Sequence, residues 1–205
     1  KIVGKDMTKF PAQLDFSAEL AKVRSVKPDA VFIFYPGKHG VQFFKQYAQS
    51  GLKGNIPLYS VFAIDALSLP RIGDLVEGTL MTQFWAPDLA TPVSKIFVQD
   101  YRKKYGRYPS FYAAQSYDTI MLIDSAVRAV NGDLSNKDGM RAAMRRAAFP
   151  SVRGPFRYGN NHMPIQNFYL RKVVKDAEGN YTTSIVKTVY TNHQDPYAKD
   201  CKMSW

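Results

Sequence analysis

Ala30-Val31-Phe32-Ile33-Phe34 is apolar at every position, and this run decides the fold. Successive side chains of a strand point to opposite faces, so a strand of this kind is apolar on both and needs cover on both. Lys27-Pro28-Asp29 stops the helix that precedes it, and Tyr35-Pro36-Gly37 turns the chain into the next one. Reading outward from it, apolar strands and amphipathic segments alternate: strand 1–7, helix 15–26, strand 29–35, helix 38–49, strand 56–61, short helix 65–72 and strand 78–85. Strand alternating with helix at this spacing predicts a parallel sheet with right-handed crossovers. Lys1 opens straight into the first of these strands, as if midway through a larger α/β protein.

Local signals support the helices. Asp15 stands as an N-cap, and Phe16, Leu20 and Val23 share one helical face behind it. Val41, Phe44 and Ala48 make the stripe of the next helix, which Gly51 closes. At Trp85-Ala86-Pro87-Asp88 the rhythm breaks, and three helices come next without strands between them. Val93, Ile96, Phe97 and Tyr101 line the first. The second runs from about Ser110 to Val130, with Ile120, Ile123, Val127 and Val130 expected to face inward. Ser135 and Asp138 make a start like a capping box for the third. Strands resume at 153–158, 167–175 and 181–191, the last two joined through Asp176-Ala177-Glu178-Gly179 as a hairpin. This order describes a chain that crosses between two lobes, with 86–90 and 159–166 as the crossings.

Composition excludes several classes. The 205 residues are 45% apolar and 22% charged, which is ordinary for a globular chain. No apolar run approaches the roughly 18 residues that a membrane-crossing helix needs. The net charge of +11 invites a nucleic-acid reading, but the basic residues are distributed as on solvated helix faces, at Arg102/Lys103/Lys104 and Arg141/Arg145/Arg146. No nucleic-acid partner is therefore expected. His39, His162 and His193 have no ligand-like spacing, so no metal is expected. Motifs of nucleophile elbows, dinucleotide folds and phosphate loops are absent, so neither an enzyme nor a cofactor is expected. Cys201 has no cysteine to pair with inside the chain; it is a free thiol or the partner of one on another segment.

Binding chemistry is better represented. Ligands of open parallel sheets sit beyond the carboxyl ends of the strands. The residues there are Tyr35, Pro36, Gly37 and Gly40 after one strand, and Ser60, Val61 and Phe62 after the next. Gly37 and Gly40 offer backbone N–H groups at a helix start, suited to an anion or simply to a tight turn. Phe62 is a large aromatic just past a strand end, where a stacking partner would explain it. Tyr112 and Tyr117, early in the long helix, face either a cleft or the core.

Asp15-Phe16-Ser17-Ala18-Glu19-Leu20 with Lys27-Pro28-Asp29-Ala30-Val31 after it resembles the solute-binding proteins of branched-chain amino acid-type ABC transporters. Gly51-Leu52-Lys53, Glu77-Gly78-Thr79-Leu80, Tyr117-Asp118, Gly154-Pro155-Phe156-Arg157-Tyr158 and Asp195-Pro196-Tyr197-Ala198 with Cys201-Lys202-Met203 extend the likeness along nearly the whole chain. The resemblance implies an α/β fold of the type I periplasmic binding protein kind, a parallel sheet flanked by helices. It implies the second lobe in residues 1–87, helices and a strand completing the first lobe in 88–162, and a return to the second lobe in 163–205. Such proteins are considerably longer, so a missing first-lobe segment, or self-association in its place, is expected to cover the helices of 88–162. It also implies a periplasmic location, an ABC permease as partner, and ligand contacts at Tyr35, Pro36, Ser60, Val61, Phe62 and Tyr112.

One departure bears on the ligand. Amino-acid-binding members of the family carry a carboxylate in the loop after the third strand, for the ligand's ammonium. Here that stretch is Ser60-Val61-Phe62-Ala63. An ammonium left unpaired in a closed cleft would cost on the order of 3 kcal/mol or more. The nearest acid, Asp65, reads as a helix cap. A small carboxylate without an amine, aromatic in character, is the expected ligand; a branched-chain or other amino acid, or a ligand-sensing role in a signalling protein, is the alternative.

Overall fold

A computed structural model describes residues 1–203. The chain divides into two units, one of Lys1–Gln83 with Leu170–Ser184, the other of Phe84–Tyr169 with Ile185 onward. Ser204 and Trp205, the end of the expected 163–205 segment, lie outside the described residues. The sequence places the crossings at 86–90 and 159–166; in the structure the chain passes between units after Gln83, Tyr169 and Ser184.

The first unit is built on α1 (Ser17–Val26), β1 (Val31–Ile33), α2 (Lys38–Gln49), β2 (Leu58–Val61), α3 (Leu69–Val76) and β3 (Leu80–Gln83). The strands are parallel and in register, Ile33 opposite Ser60 and Ser60 opposite Met81. The expected parallel sheet is therefore present. At its other side Val173 exchanges backbone bonds with Gly78 and Thr79 (3.0 and 3.1 Å), which brings in β5 (Pro164–Lys175). β6 (Tyr181–His193) pairs with β5. Asp176 N–H donates to the Asn180 carbonyl (2.9 Å) at the hairpin turn.

The core lies on one face of this sheet. Phe16 and Leu20 of the α1 segment, Val41, Phe44 and Tyr47 of α2, and Ile72 and Val76 of α3 pack against Ile33, Met81 and Val173. Of the helical stripes read from sequence, Phe16, Leu20, Val41 and Phe44 are buried, and Val23 and Ala48 are partly so. The expectation of cover on both faces of the first strand is not met, because Phe32 is 67% exposed. The helices of this unit cover the face of Ile33, and Phe32 and Tyr59, opposite each other in the register, are exposed.

Three local expectations are corrected. Residues 1–7 form no strand. Lys1, Gly4, Lys5 and Asp6 break any continuous apolar face there, and β1 offers an edge only three residues long. The short helix begins at Leu69 rather than Asp65. Asp65 instead organises the turn before it, its Oδ1 accepting from Leu67 N–H (2.9 Å). Asp15 is not the N-cap of α1: Phe16 holds that position with no side-chain cap, and Asp15 stands one residue before it, its Oδ1 accepting from Ser17 N–H (2.9 Å), with the Ser17 bonds holding its carboxyl below the usual range.

The second unit contains α4 (Pro92–Tyr105), α5 (Phe111–Ala129), α6 (Lys137–Arg146) and β4 (Arg157–Tyr158), which pairs antiparallel with the start of β5. Thr91 and Ser110 cap α4 and α5 through their hydroxyls. The third helix is capped by Asn136, whose Oδ1 accepts from Gly139 N–H (2.9 Å), rather than by Ser135 with Asp138. Ser135 is engaged one step earlier, donating to Asp133. The inward face of α5 also differs from expectation: Ile120 and Ile123 are 65% and 44% exposed, while Phe111, Ala114, Asp118 and Ala126 are buried. That face includes Asp118, which finds its partners there.

Candidate functional site

The loops after β1 and β2 converge over the first turn of α2. Gly40 makes this possible. A Cβ on Gly40 would stand 2.4 Å from the Tyr35 carbonyl oxygen and 3.3 Å from that of Ala63. Gly37, at φ 62°, starts the helix with no side-chain cap. The carboxyl ends of two adjacent strands, and the N-terminus of α2, are thereby gathered on one edge of the sheet. That is where an open parallel sheet receives a ligand.

Within this cluster the side chains divide by role. The Tyr35 ring packs on Phe16 and Phe43, with centroids 5.0 and 5.1 Å away, and holds its loop from the core side. Ser60 is buried beside the core, and its Oγ has no hydrogen-bond partner among the described residues. Pro36, Val61 and Phe62 are partly exposed. Phe62 adopts φ 56°, the left-handed region, and stands edge-on to Phe34 with centroids 6.4 Å apart. A bulky residue in that region costs of order 1–3 kcal/mol and persists only where its surroundings over-determine it. Asp65 is buried, with its Oδ1 spent on the Leu67 N–H. His39, in the first turn of α2, has its Nε2 2.8 Å from the Pro11 carbonyl and its ring on Phe10.

Tyr112 belongs to the other unit. Ser110 Oγ accepts from Ala113 N–H (3.1 Å), and the buried Phe111 packs edge-on to Phe84, which leaves Tyr112 47% exposed on the first turn of α5. Tyr117 packs on Phe97 instead (5.0 Å). Behind that turn lies a buried network that periodicity did not reveal. Asp118 accepts from Arg153 Nε (2.6 Å), Ser151 Oγ (2.6 Å) and Val152 N–H (2.9 Å), and Arg153 Nη1 donates to Gln166 Oε1 (3.1 Å). The Arg153 guanidinium also lies over the Phe156 ring at 4.2 Å. Burial pushes the nearby Tyr158 phenol up, with Arg153 opposing. The sequence signal was an acid at 118 on the Phe111/Ala114 face; Arg153, expected to open a strand over 153–158, lies instead in the turn before β4, which is only Arg157–Tyr158.

A family model described as periplasmic binding protein matches residues 1–179. The chain belongs to that family. As a periplasmic binding protein it is 31% identical over 193 residues to the Leu/Ile/Val-binding protein homolog 6 of Brucella melitensis, covering 90% of this chain and 48% of that relative. It thus spans about half the length of the curated relatives it matches. A solute-binding protein of an ABC transporter from R. palustris, solved in complex with benzoate, superposes with a TM-score of 0.85 at 32% identity, over 96% of this chain and 52% of that one. A second, from Rhodopseudomonas palustris BisB5 with 3,4-dihydroxybenzoic acid, gives 0.79 at 30% identity, over 89% and 50%. Among the described residues no cluster of His, Cys, Asp or Glu is arranged for a metal, and no helix is long and apolar enough to cross a membrane.

Proposed function

We propose that this chain is part of an extracytoplasmic solute receptor that binds a small aromatic carboxylate and delivers it to an ABC permease. The observation that carries the ligand class is the chemistry at the end of β2 and just past it: Ser60-Val61-Phe62-Ala63 presents Phe62 and no carboxylate. Asp65, the nearest acid, is buried, and its Oδ1 accepts from Leu67 N–H within its own turn. A ligand ammonium would find no counter-charge at Ser60-Val61-Phe62-Ala63, whereas an aromatic ring gains a stacking wall. Likeness to the benzoate-bound protein supports the same class. In this reading the ligand contacts of the first unit are Tyr35, Pro36, Ser60, Val61 and Phe62, of which Pro36, Val61 and Phe62 are partly exposed. Binding and release suffice for the role, and no bond of the ligand is broken.

Phe62→Ala tests the wall. It should weaken benzoate by about 1–3 kcal/mol through lost apolar burial, with the thermal midpoint of the unliganded protein nearly unchanged. Equal affinity of the variant and the parent would remove Phe62 from the site. The second reading, a branched-chain amino acid receptor, draws on the name of the Brucella relatives. It requires leucine to stabilise the protein in a thermal-shift screen where benzoate does not.

A further inference from the structure

Arg171 is only 1% exposed, in the part of β5 that belongs to the first unit. Its Nη1 donates to Thr183 Oγ1 on β6 (3.1 Å), and its Nη2 reaches the Ile64 carbonyl (3.4 Å), 107 residues earlier in the chain. Ile64 lies two positions past Phe62, in the loop that turns through a left-handed backbone at Phe62. On its far side this loop is pinned by the turn at 65–68, where Asp65 N–H donates to Ser68 Oγ (3.0 Å) and Leu67 N–H to Asp65 Oδ1 (2.9 Å). Between that turn and the end of β2, the guanidinium supplies a cross-brace from a distant strand.

A buried guanidinium is an expensive way to fill space. An apolar side chain of similar volume would pack at the same place without the desolvation cost, and such replacements are often neutral or stabilising. What the apolar residue lacks is direction. A guanidinium fixed by Thr183 holds the Ile64 carbonyl at one place and one angle. We propose that Arg171 is a positioning residue for the ligand loop: through Ile64 it keeps Phe62 in the left-handed conformation that presents its ring. The ligand half of this inference rests on the proposed role of Phe62; the bracing half does not.

The test compares the full chain with its Arg171→Met, Arg171→Lys and Thr183→Val variants, by amide hydrogen exchange and by benzoate titration. In Arg171→Met the amides of residues 62–65 should exchange at least tenfold faster, while those of β1 and β2 are unchanged. Arg171→Lys, which keeps a donor, should recover part of that protection, a rescue that a purely space-filling role would not give. Benzoate affinity should fall about tenfold in Arg171→Met under conditions where the variant remains folded. Unchanged exchange at 62–65, or an acceleration spread evenly over the unit, overturns the brace. Should Arg171→Met fail to fold, Thr183→Val decides: local acceleration at 62–65 supports the brace and its absence overturns it. If the parent binds no aromatic acid, the proposed ligand is wrong, and the exchange data still decide the brace.

Discussion

Asp118→Ala should be among the most damaging single substitutions in the second unit. Its carboxylate is buried and accepts from Arg153 Nε, Ser151 Oγ and Val152 N–H. Removing it leaves a buried guanidinium without its counter-charge and strips a hydroxyl and a backbone N–H of their acceptor. Breaking one side of a buried ion pair costs about 3–5 kcal/mol, and each orphaned buried donor alone costs roughly 1–3 kcal/mol. These terms overlap, so about 3–5 kcal/mol is the expected total. With a urea slope of about 2 kcal/mol/M for a unit of this size, the midpoint should fall by roughly 1.5–2.5 M. Trp85 is the natural probe, because it is buried in the same unit with Nε1 donating to Ser94 Oγ (3.0 Å). A Trp205→Phe background makes its fluorescence the only indole signal. Asp124→Ala is the control: its pair with Arg128 is exposed and should contribute at most about 0.5 kcal/mol. A loss below about 1 kcal/mol for Asp118→Ala would refute the view that this network anchors α5.

Other outcomes rest on the same geometry. Gly40→Ala forces a Cβ to within 2.4 Å of a backbone carbonyl, which cannot rotate away; it should lower stability by about 1–3 kcal/mol and loosen the 34–37 loop, as seen by thermal melting and amide exchange. Burial raises the Tyr47 phenol above its ordinary 10.0. The unfolded chain then loses its phenolic proton first, so the stability from neutral Tyr47 is intact below pH 10 and falls as pH rises through the folded value; urea titrations from pH 9 to 11 should show the decline and Tyr47→Phe should flatten it. Exposed Ile96, Ile120 and Ile123 predict self-association of the 205-residue chain, relieved by Ile120→Lys with Ile123→Lys; a monodisperse parent monomer by light scattering would contradict this.

Much of the first unit is legible in the sequence because punctuation and periodicity agree there. Gly37 and Gly51 bracket α2, and its bounds read from sequence are those observed. The parallel strands read too long, since pairing is set by the partner strand and not by apolarity: of 29–35 only Val31–Ile33 is paired, whereas the hairpin strands extend beyond 167–175 and 181–191 to Pro164–Lys175 and Tyr181–His193. Periodicity turns Ile120 and Ile123 of the long helix inward, because it assigns the core to the largest apolar residues. The buried face is instead the one with Asp118, whose partners lie 33–35 residues away. Arg171 escapes notice for the same reason: a charge in a strand reads as solvent-facing until its acceptors on distant segments are known. At the site, the two loops are legible from the strand ends, but the left-handed backbone of Phe62 is not. No glycine marks it, and the contacts that hold it are long-range.

The most direct test of the account is a parallel calorimetric titration of benzoate and leucine into the protein at neutral pH. The account predicts saturable binding of benzoate with affinity at least tenfold above that of leucine, and loss of that preference in Phe62→Ala. Tight binding of leucine with no detectable binding of benzoate would contradict it, and would point to Asp65 as the partner of the ligand's ammonium.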